Sequence, residues 1–250
     1  MKLTLHGFLT LTGHFASKED IIFALINKQI KVDDKIVTTP KFQINPNSRV
    51  VKYNDKKIEH DKTKYYLVFN KPPKFICEKI LTKGSPKKSI FNIIEIDRKI
   101  LNQMSAIGRL DEDSAGMIIL TNDGKVNHKI ASPDSNITKT YEVTLDDQIP
   151  NRLVQIAEKG VTIDLEVNGE VTKYKTKPTK IQRVTDKILQ ITLTEGKKRE
   201  VKRIFDALGH KVTYLKRVSI GNLKLKDLHI KNREFVFVSR EVIDEKILNS

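Results

Sequence analysis

Two segments of this 250-residue chain repeat an apolar side chain at every second position. Tyr141, Val143 and Leu145 alternate with Thr140, Glu142 and Thr144. Val161, Ile163, Leu165 and Val167 follow the same rule up to Asn168-Gly169, a strong hairpin turn, and the chain returns through Val171. Successive strand residues point to opposite faces, so each segment needs one face covered and leaves the other to solvent. A chain with this pattern must build an antiparallel sheet and lay its helices against it. Ile188 to Leu193 reads as another strand, and Tyr65-Tyr66-Leu67-Val68-Phe69 as one stopped by Asn70-Lys71-Pro72-Pro73. Asp123 can cap a helix running through Val126 and Ile130, and Leu153, Ile156 and Ala157 suggest another. In Arg199 to Leu208, Val201, Ile204, Phe205 and Leu208 make one apolar stripe, Lys198 and Lys202 share a different face, and Gly209 supplies the stop. The fold class is α+β, with a mixed, mainly antiparallel sheet.

Residues 1–60 read as a separate, smaller module. Leu5, Phe8 and Leu9 recur at helical spacing before Gly13, and Ser17 can cap a helix whose Ile22, Leu25 and Ile26 face inward. Ile30-Lys31-Val32 alternates, Asp33-Asp34 turns, Ile36-Val37 continues, and a last strand lies near Val50 to Tyr53. Helix, helix and short strands in this order resemble the S4 RNA-binding domain. The resemblance implies that the second helix and the next strand present basic groups to RNA, here Lys18, Lys28 and Lys31. Where the family starts arginine-rich, this chain has Leu5-His6-Gly7-Phe8, so weaker RNA binding than in a typical member is expected. Asn54 to Lys64 is polar and lysine-rich and reads as a linker, leaving 65–250 as the second domain.

Charge narrows the function. Lys and Arg outnumber Asp and Glu by 46 to 31, a formal +15, which points to a polyanionic partner. The cations cluster between Gly196 and Arg217, where eight face only Glu200 and Asp206. A single cysteine, Cys77, rules out an internal disulfide and fits a reducing cytoplasm. No apolar stretch approaches the roughly 20 residues of a membrane span, and the N-terminus is interrupted too early by polar groups for a secretory signal.

The block with most chemistry is Gly108-Arg109-Leu110-Asp111-Glu112-Asp113-Ser114-Ala115-Gly116, followed at once by Met117 to Leu120 and then Thr121-Asn122-Asp123-Gly124. It sets acids and an arginine on a loop before a hydrophobic strand, where a rigid scaffold can present them. Calcium is excluded, because the fifth and twelfth positions of an EF-hand loop counted from Asp111 are Ala115 and Asn122. No His/Cys cluster has zinc spacing, and Gly84-Ser85-Pro86-Lys87-Lys88-Ser89 lacks the second glycine of a phosphate loop. Asp111 and Asp113 could formally serve a glycosidase, but a strongly cationic chain suits a neutral sugar poorly.

Four blocks in order resemble the ribosomal RNA pseudouridine synthases of the RsuA/RluB type: Lys71-Pro72-Pro73, Gly108 to Gly124, Lys139-Thr140-Tyr141-Glu142-Val143, and Thr194 to Phe205. That resemblance implies Asp111 as nucleophile, Tyr141 stacked on the target uracil and Lys202 as the basic partner of Asp111. Arg109 would help hold RNA and the flipped nucleotide, with Lys71, Lys198, Arg199 and Arg203 as further RNA-binding groups. Where the family follows its proline with glycine, this chain has Lys74, and position 202 is Lys where many relatives in the wider superfamily carry Arg. The implied reaction uses no metal or organic cofactor. Its expected substrate is ribosomal RNA or a subunit assembly intermediate, acted on by a cytoplasmic monomer without membrane contact. Ala131-Ser132-Pro133 together with Glu200-Val201-Lys202-Arg203 looks closer to the small-subunit (16S) type than to the large-subunit (23S) types. A non-catalytic RNA-binding assembly protein is the rival from another class; it would have no need of an unpaired carboxylate facing phosphates. A DNA-binding regulator lacks a helix-turn-helix pattern.

Overall fold

The alternating segments do pair as strands. A computed structural model describes residues 2–80, 85–167 and 169–250, so Gly84 of the excluded phosphate loop and Asn168 of the hairpin turn lie outside the described residues. Tyr141 and Val143 of β10 (Lys139–Leu145) lie opposite Ile191 and Leu189 of β14 (Ile188–Leu193). The second alternating segment forms the β11 (Thr162–Val167) and β12 (Glu170–Lys175) hairpin.

The main sheet runs β13-β14-β10-β15-β9-β7-β17, with β8 and β16 attached to β9 and β15. Its other strands are β7 (Tyr66–Lys71), β8 (Ser105–Ile107), β9 (Ala115–Thr121), β13 (Lys180–Arg183), β15 (Val212–Ile220), β16 (Leu223–Lys224) and β17 (Phe235–Phe237). Every pairing is antiparallel except β9 with β15. That one parallel contact holds the sheet's two halves together, and Gly116 makes it possible. Gly116 sits at φ +104°, and a Cβ there would stand 2.2 Å from the Arg217 carbonyl oxygen.

The core follows the strand faces. β7 and β9 are buried on both faces, which accounts for their continuous apolar runs. Tyr66, Val68, Met117 and Ile119 pack against α4 (Gly124–Ala131) and the C-terminal α7 (Arg240–Ile243). Leu67, Phe69, Ile118 and Leu120 pack with Phe91, Ile94 and Leu101, the last on α3 (Arg98–Gln103). At the other end, Val143, Ile191 and Leu215 pack against Ile204 and Phe205 of α6 (Glu200–Ala207), beside α5 (Asn151–Glu158). The expected caps form: Asp123 accepts from the amides of Lys125 and Val126, and Gly209 ends α6 at φ +80°.

The N-terminal segment encloses its own core, made only of residues between Leu5 and Ile58. Here β1 (Leu3–Thr4) leads into α1 (Leu5–Leu11), and Ser17 caps α2 (Lys18–Ile26) by accepting from the Asp20 amide. Strands β2 (Ile30–Val32), β3 (Lys35–Ile36), β5 (Val51–Tyr53) and β6 (Lys56–Ile58) form one small sheet, and β4 (Gln43–Ile44) pairs β1. Two expectations need correcting. The inward stripe of α2 is Ile21, Ala24 and Leu25, at i, i+3 and i+4, while Ile26 lies about 100° further round the helix, off that stripe, and is 68% exposed. The linker starts later than Asn54: Asn54-Asp55 turn at positive φ into β6, whose buried Ile58 completes the small core. Among the described residues no helix is long and apolar enough to cross a membrane.

Candidate active site

Asp111 lies on the turn between β8 and β9, and three contacts fix that turn from below. Leu110 is buried in the apolar cluster, while its amide donates to the Cys77 sulfur and its carbonyl accepts from the Cys77 thiol, both at 3.4 Å. The Lys74 amide donates to the Glu112 carbonyl at 2.7 Å. Lys71 does most. Its side chain is fully buried, and Nζ donates to the carbonyls of Pro72 (3.1 Å), Asp111 (3.1 Å), Glu112 (3.2 Å) and Ser114 (2.5 Å). Burial holds its pKa below the ordinary lysine value. Lys71 therefore cannot meet an RNA phosphate, contrary to the role the resemblance implied; it is the internal tie of the acidic loop, which supplies three of the four carbonyls around it. Lys74 takes φ +69°, a conformation open to glycine without cost, which gives a reason for the glycine expected after the proline.

The acid that pairs with α6 is also not the expected one. Lys202 Nζ meets Asp113 Oδ2 at 2.5 Å, and Arg199 stands 3.7 Å from the same oxygen. Asp111 enters no ion pair among the described residues. Burial raises the pKa of Asp113, but the Lys202 ammonium and the Arg199 guanidinium outweigh it and hold the carboxyl below its ordinary value. The reason for the exchange is local. The Ser114 amide closes a turn on the Asp111 carbonyl, and the side chain two residues on is the one the Lys202 ammonium reaches. Asp113 thus takes the Lys202 ammonium as its partner and leaves Asp111 lining an open cleft.

That space is a cleft of about 420 Å³ lined by Asp111, Arg109, Tyr141, Lys139, Arg217 and the 196–201 turn, over an apolar floor that includes Leu193 and Leu215. Tyr141, half-buried on β10, also packs against the core. Arg109 is exposed at the rim with Nε 3.1 Å from Glu78. Lys198 and Arg199 are exposed on the opposite rim, Lys198 at 3.3 Å from Glu166. Arg203, half-buried, is not part of the lining. Lys18 borders a second crevice that also touches Arg109, between α2 and the catalytic loop. Lys28 and Lys31 lie beyond the far end of α2, and Lys31 is paired with Asp55 at 2.5 Å.

Sequence reading missed three groups in the wall. Arg217 is 3% exposed and donates from Nε to the Met117 carbonyl at 2.7 Å, tying β15 to β9 beside the cleft. Lys139 has its pKa lowered by burial and by Arg217. Glu200 is 3% exposed, accepts from the Lys197 amide at 2.8 Å, and is pushed up to about 8 by burial and by the neighbouring Glu195 carboxylate. Glu195 in turn accepts from the Tyr174 hydroxyl (2.5 Å) and the Lys177 amide (2.8 Å). The two acids brace the basic turn and, with Glu200 neutral at pH 7, put little negative charge into the wall. One signal was available: an arginine and an acid in otherwise apolar, strand- or helix-patterned positions.

A cleft presenting one unpaired carboxylate, an aromatic face and cationic walls suits attack on a flat, uncharged ring carried by a polyanion. Comparison with known proteins agrees. Residues 65–207 match the RNA pseudouridylate synthase family. The chain is 30% identical to a ribosomal small subunit pseudouridine synthase A from Haemophilus influenzae, over 82% of this chain and 83% of that one. It is 29% identical to a ribosomal large subunit pseudouridine synthase B from Bacillus subtilis, over 80% and 79%. A crystal structure of a pseudouridylate synthase superposes with a TM-score of 0.67 at 26% identity, covering 98% of this chain and all of that one.

Proposed function

The chain belongs to the RNA pseudouridylate synthase family, and on that premise we propose that it converts uridine to pseudouridine in ribosomal RNA with Asp111 as nucleophile. The observation that carries the assignment is the division of labour between neighbours: Asp113 is held by Lys202, while Asp111 faces the Tyr141 cleft unpaired. The reaction breaks the bond between C1′ and N1, turns the uracil and joins C1′ to C5; N1 gains a proton and C5 loses one. Asp111 attacks as the carboxylate, holds the covalent intermediate while the base turns, and leaves again as the carboxylate once C1′ is joined to C5. Tyr141 stacks on the extruded base, offsetting the few kcal/mol of unstacking, and is placed to assist removal of the C5 proton. Lys202 acts on Asp111 through the loop, by fixing Asp113, and not as its direct partner. Arg109, Lys198 and Arg199 on the two rims contact the RNA backbone.

Residues 1–60 serve as an S4-like RNA-binding domain and 65–250 as the catalytic domain; the self-contained core of the first segment supports that division. Lys18 borders the same crevice as Arg109, which favours it over Lys28 and Lys31 as the group of that domain that meets the RNA. Small-subunit RNA is the favoured substrate, as free RNA or in an assembly intermediate, on the strength of the 131–133 and 200–203 segments; relatives of both specificities match about equally well. The enzyme works as a cytoplasmic monomer. Asp111→Ala is expected to keep RNA affinity and abolish tritium release from uridine labelled at C5. Normal turnover by this variant would refute the assignment, and pseudouridine mapping of both ribosomal RNAs with and without the protein identifies the target.

A further inference from the structure

The strands that wall the cleft have a second face. Tyr141, Leu193, Leu215 and Arg217 point into the cleft, so their strand neighbours Thr140, Glu142, Thr192 and Lys216 point the opposite way. Among the described residues no α-helix lines that face. They floor a groove of about 630 Å³ across β13, β14, β10 and β15, closed on one side by β16 and residues 225–231. Five lysines line it: Lys180, Lys216, Lys224, Lys226 and Lys231. Among the described residues Glu142 is the only acid in the lining. None of the five ammonium groups enters an ion pair among the described residues. Elsewhere on this surface cations such as Lys31, Arg49, Lys52 and Lys57 do find carboxylates.

We propose that this groove on the back of the sheet binds the sugar-phosphate backbone of the substrate RNA at a stretch remote from the target uridine. Cations converging on a concave surface without counter-charges focus a positive potential there. The floor suits the same ligand: the Thr140 and Thr192 hydroxyls, 2.9 Å apart, and the amides of Gln182 and Gln190 can bond phosphate and 2′-hydroxyl oxygens. A protein partner would need large apolar anchors, whereas among the described residues the lining's apolar side chains are Val218, Leu225 and Ile230, with no Phe, Tyr or Trp, set among five lysines. The proposal rests on RNA being the substrate. It implies that a folded ribosomal RNA is gripped on two faces, which a short stem-loop cannot achieve.

The test replaces four exposed groove lysines by glutamine, K180Q, K224Q, K226Q and K231Q together. A matched control replaces the exposed Lys56, Lys99, Lys125 and Lys159. Affinities of wild type and both variants for full-length ribosomal RNA transcripts are measured between about 50 and 200 mM salt. The groove variant is expected to bind at least tenfold more weakly and to show a log–log salt slope smaller by about 3, four contacts at roughly 0.7–0.9 each. Its tritium release at saturating RNA should equal that of wild type. A groove variant whose affinity and slope match the control overturns the proposal, and so does a loss of saturating turnover, which would put these lysines in the catalytic machinery. Failure of the activity itself reads differently: wild type would release no tritium from either RNA while the groove-dependent slope persisted.

Discussion

Lys71→Met removes the tie beneath the acidic loop and separates two readings of the same lysine. The ammonium has three N–H bonds for four carbonyl oxygens, so one proton is shared. Bonds to a charged donor contribute about 1.5–3 kcal/mol each. Against three of them stands a desolvation cost of several kcal/mol that the apolar side chain no longer bears. The difference, with the carbonyls left without a donor, is a loss of about 2–4 kcal/mol. For a chain of this length each kcal/mol moves the melting temperature by about 2–4 °C, so a fall of about 10 °C is expected. Two of the four carbonyls belong to Asp111 and Glu112, so the loosened loop no longer holds the nucleophile in place. A displacement of about 1 Å can cost on the order of 100-fold in rate. The assay is tritium release over a range of RNA concentrations, with thermal denaturation alongside. We expect kcat to fall about 100-fold with KM and the salt slope of binding unchanged. The reasoning is refuted if KM rises and the salt slope drops by about 1 while kcat and Tm hold, because that is the behaviour of a phosphate contact.

Two further outcomes follow from the same geometry. Lys74→Gly relieves a left-handed lysine, worth about 1–2 kcal/mol, against a smaller entropic cost of glycine in the unfolded chain, so Tm should rise by a degree or more; a fall would show that the Lys74 side chain holds the turn. Glu200 keeps its proton in the fold up to about pH 8 but ionises near 4.5 when unfolded, so its contribution to stability is complete below about 4.5 and is lost as pH rises toward 8. Glu195, whose pKa is lowered, works in the opposite sense and loses its contribution only as pH falls through the acid range. Glu200→Gln should therefore flatten the decline of Tm between about pH 5 and 8 and leave the variant relatively more stable on the alkaline side than on the acid side; parallel curves for variant and wild type would exclude this role.

Much of the fold was legible because it is written in short-range pattern. The period-two alternation of Tyr141, Val143 and Leu145, the stripe of Val201, Ile204 and Phe205, the caps at Ser17 and Asp123 and the stops at Gly13 and Gly209 all appear as expected. β15 escaped notice although it lies at the centre of the sheet, because Lys216 and Arg217 interrupt its apolar pattern. The acidic loop was legible as a motif and illegible as a geometry. The family resemblance implies a Lys202–Asp111 pair and an RNA contact for Lys71, whereas Lys202 meets Asp113 and Lys71 is fully buried.

The sequence by itself determined several of the strands and helices with their caps and stops, that the surface is cationic, and which acidic loop precedes a buried strand. These depend on residues a few positions apart, whose backbone preferences and side-chain periodicity act locally. Only the tertiary structure decided the partners: Lys71 beneath a loop 43 residues away at Ser114, Arg217 tied to Met117 across 100 residues, and β9 laid parallel to β15 through Gly116. Such contacts are chosen by the packing of the whole sheet. A buried cation finds whichever carbonyls the fold brings within reach, and nothing in its immediate neighbours along the chain names them.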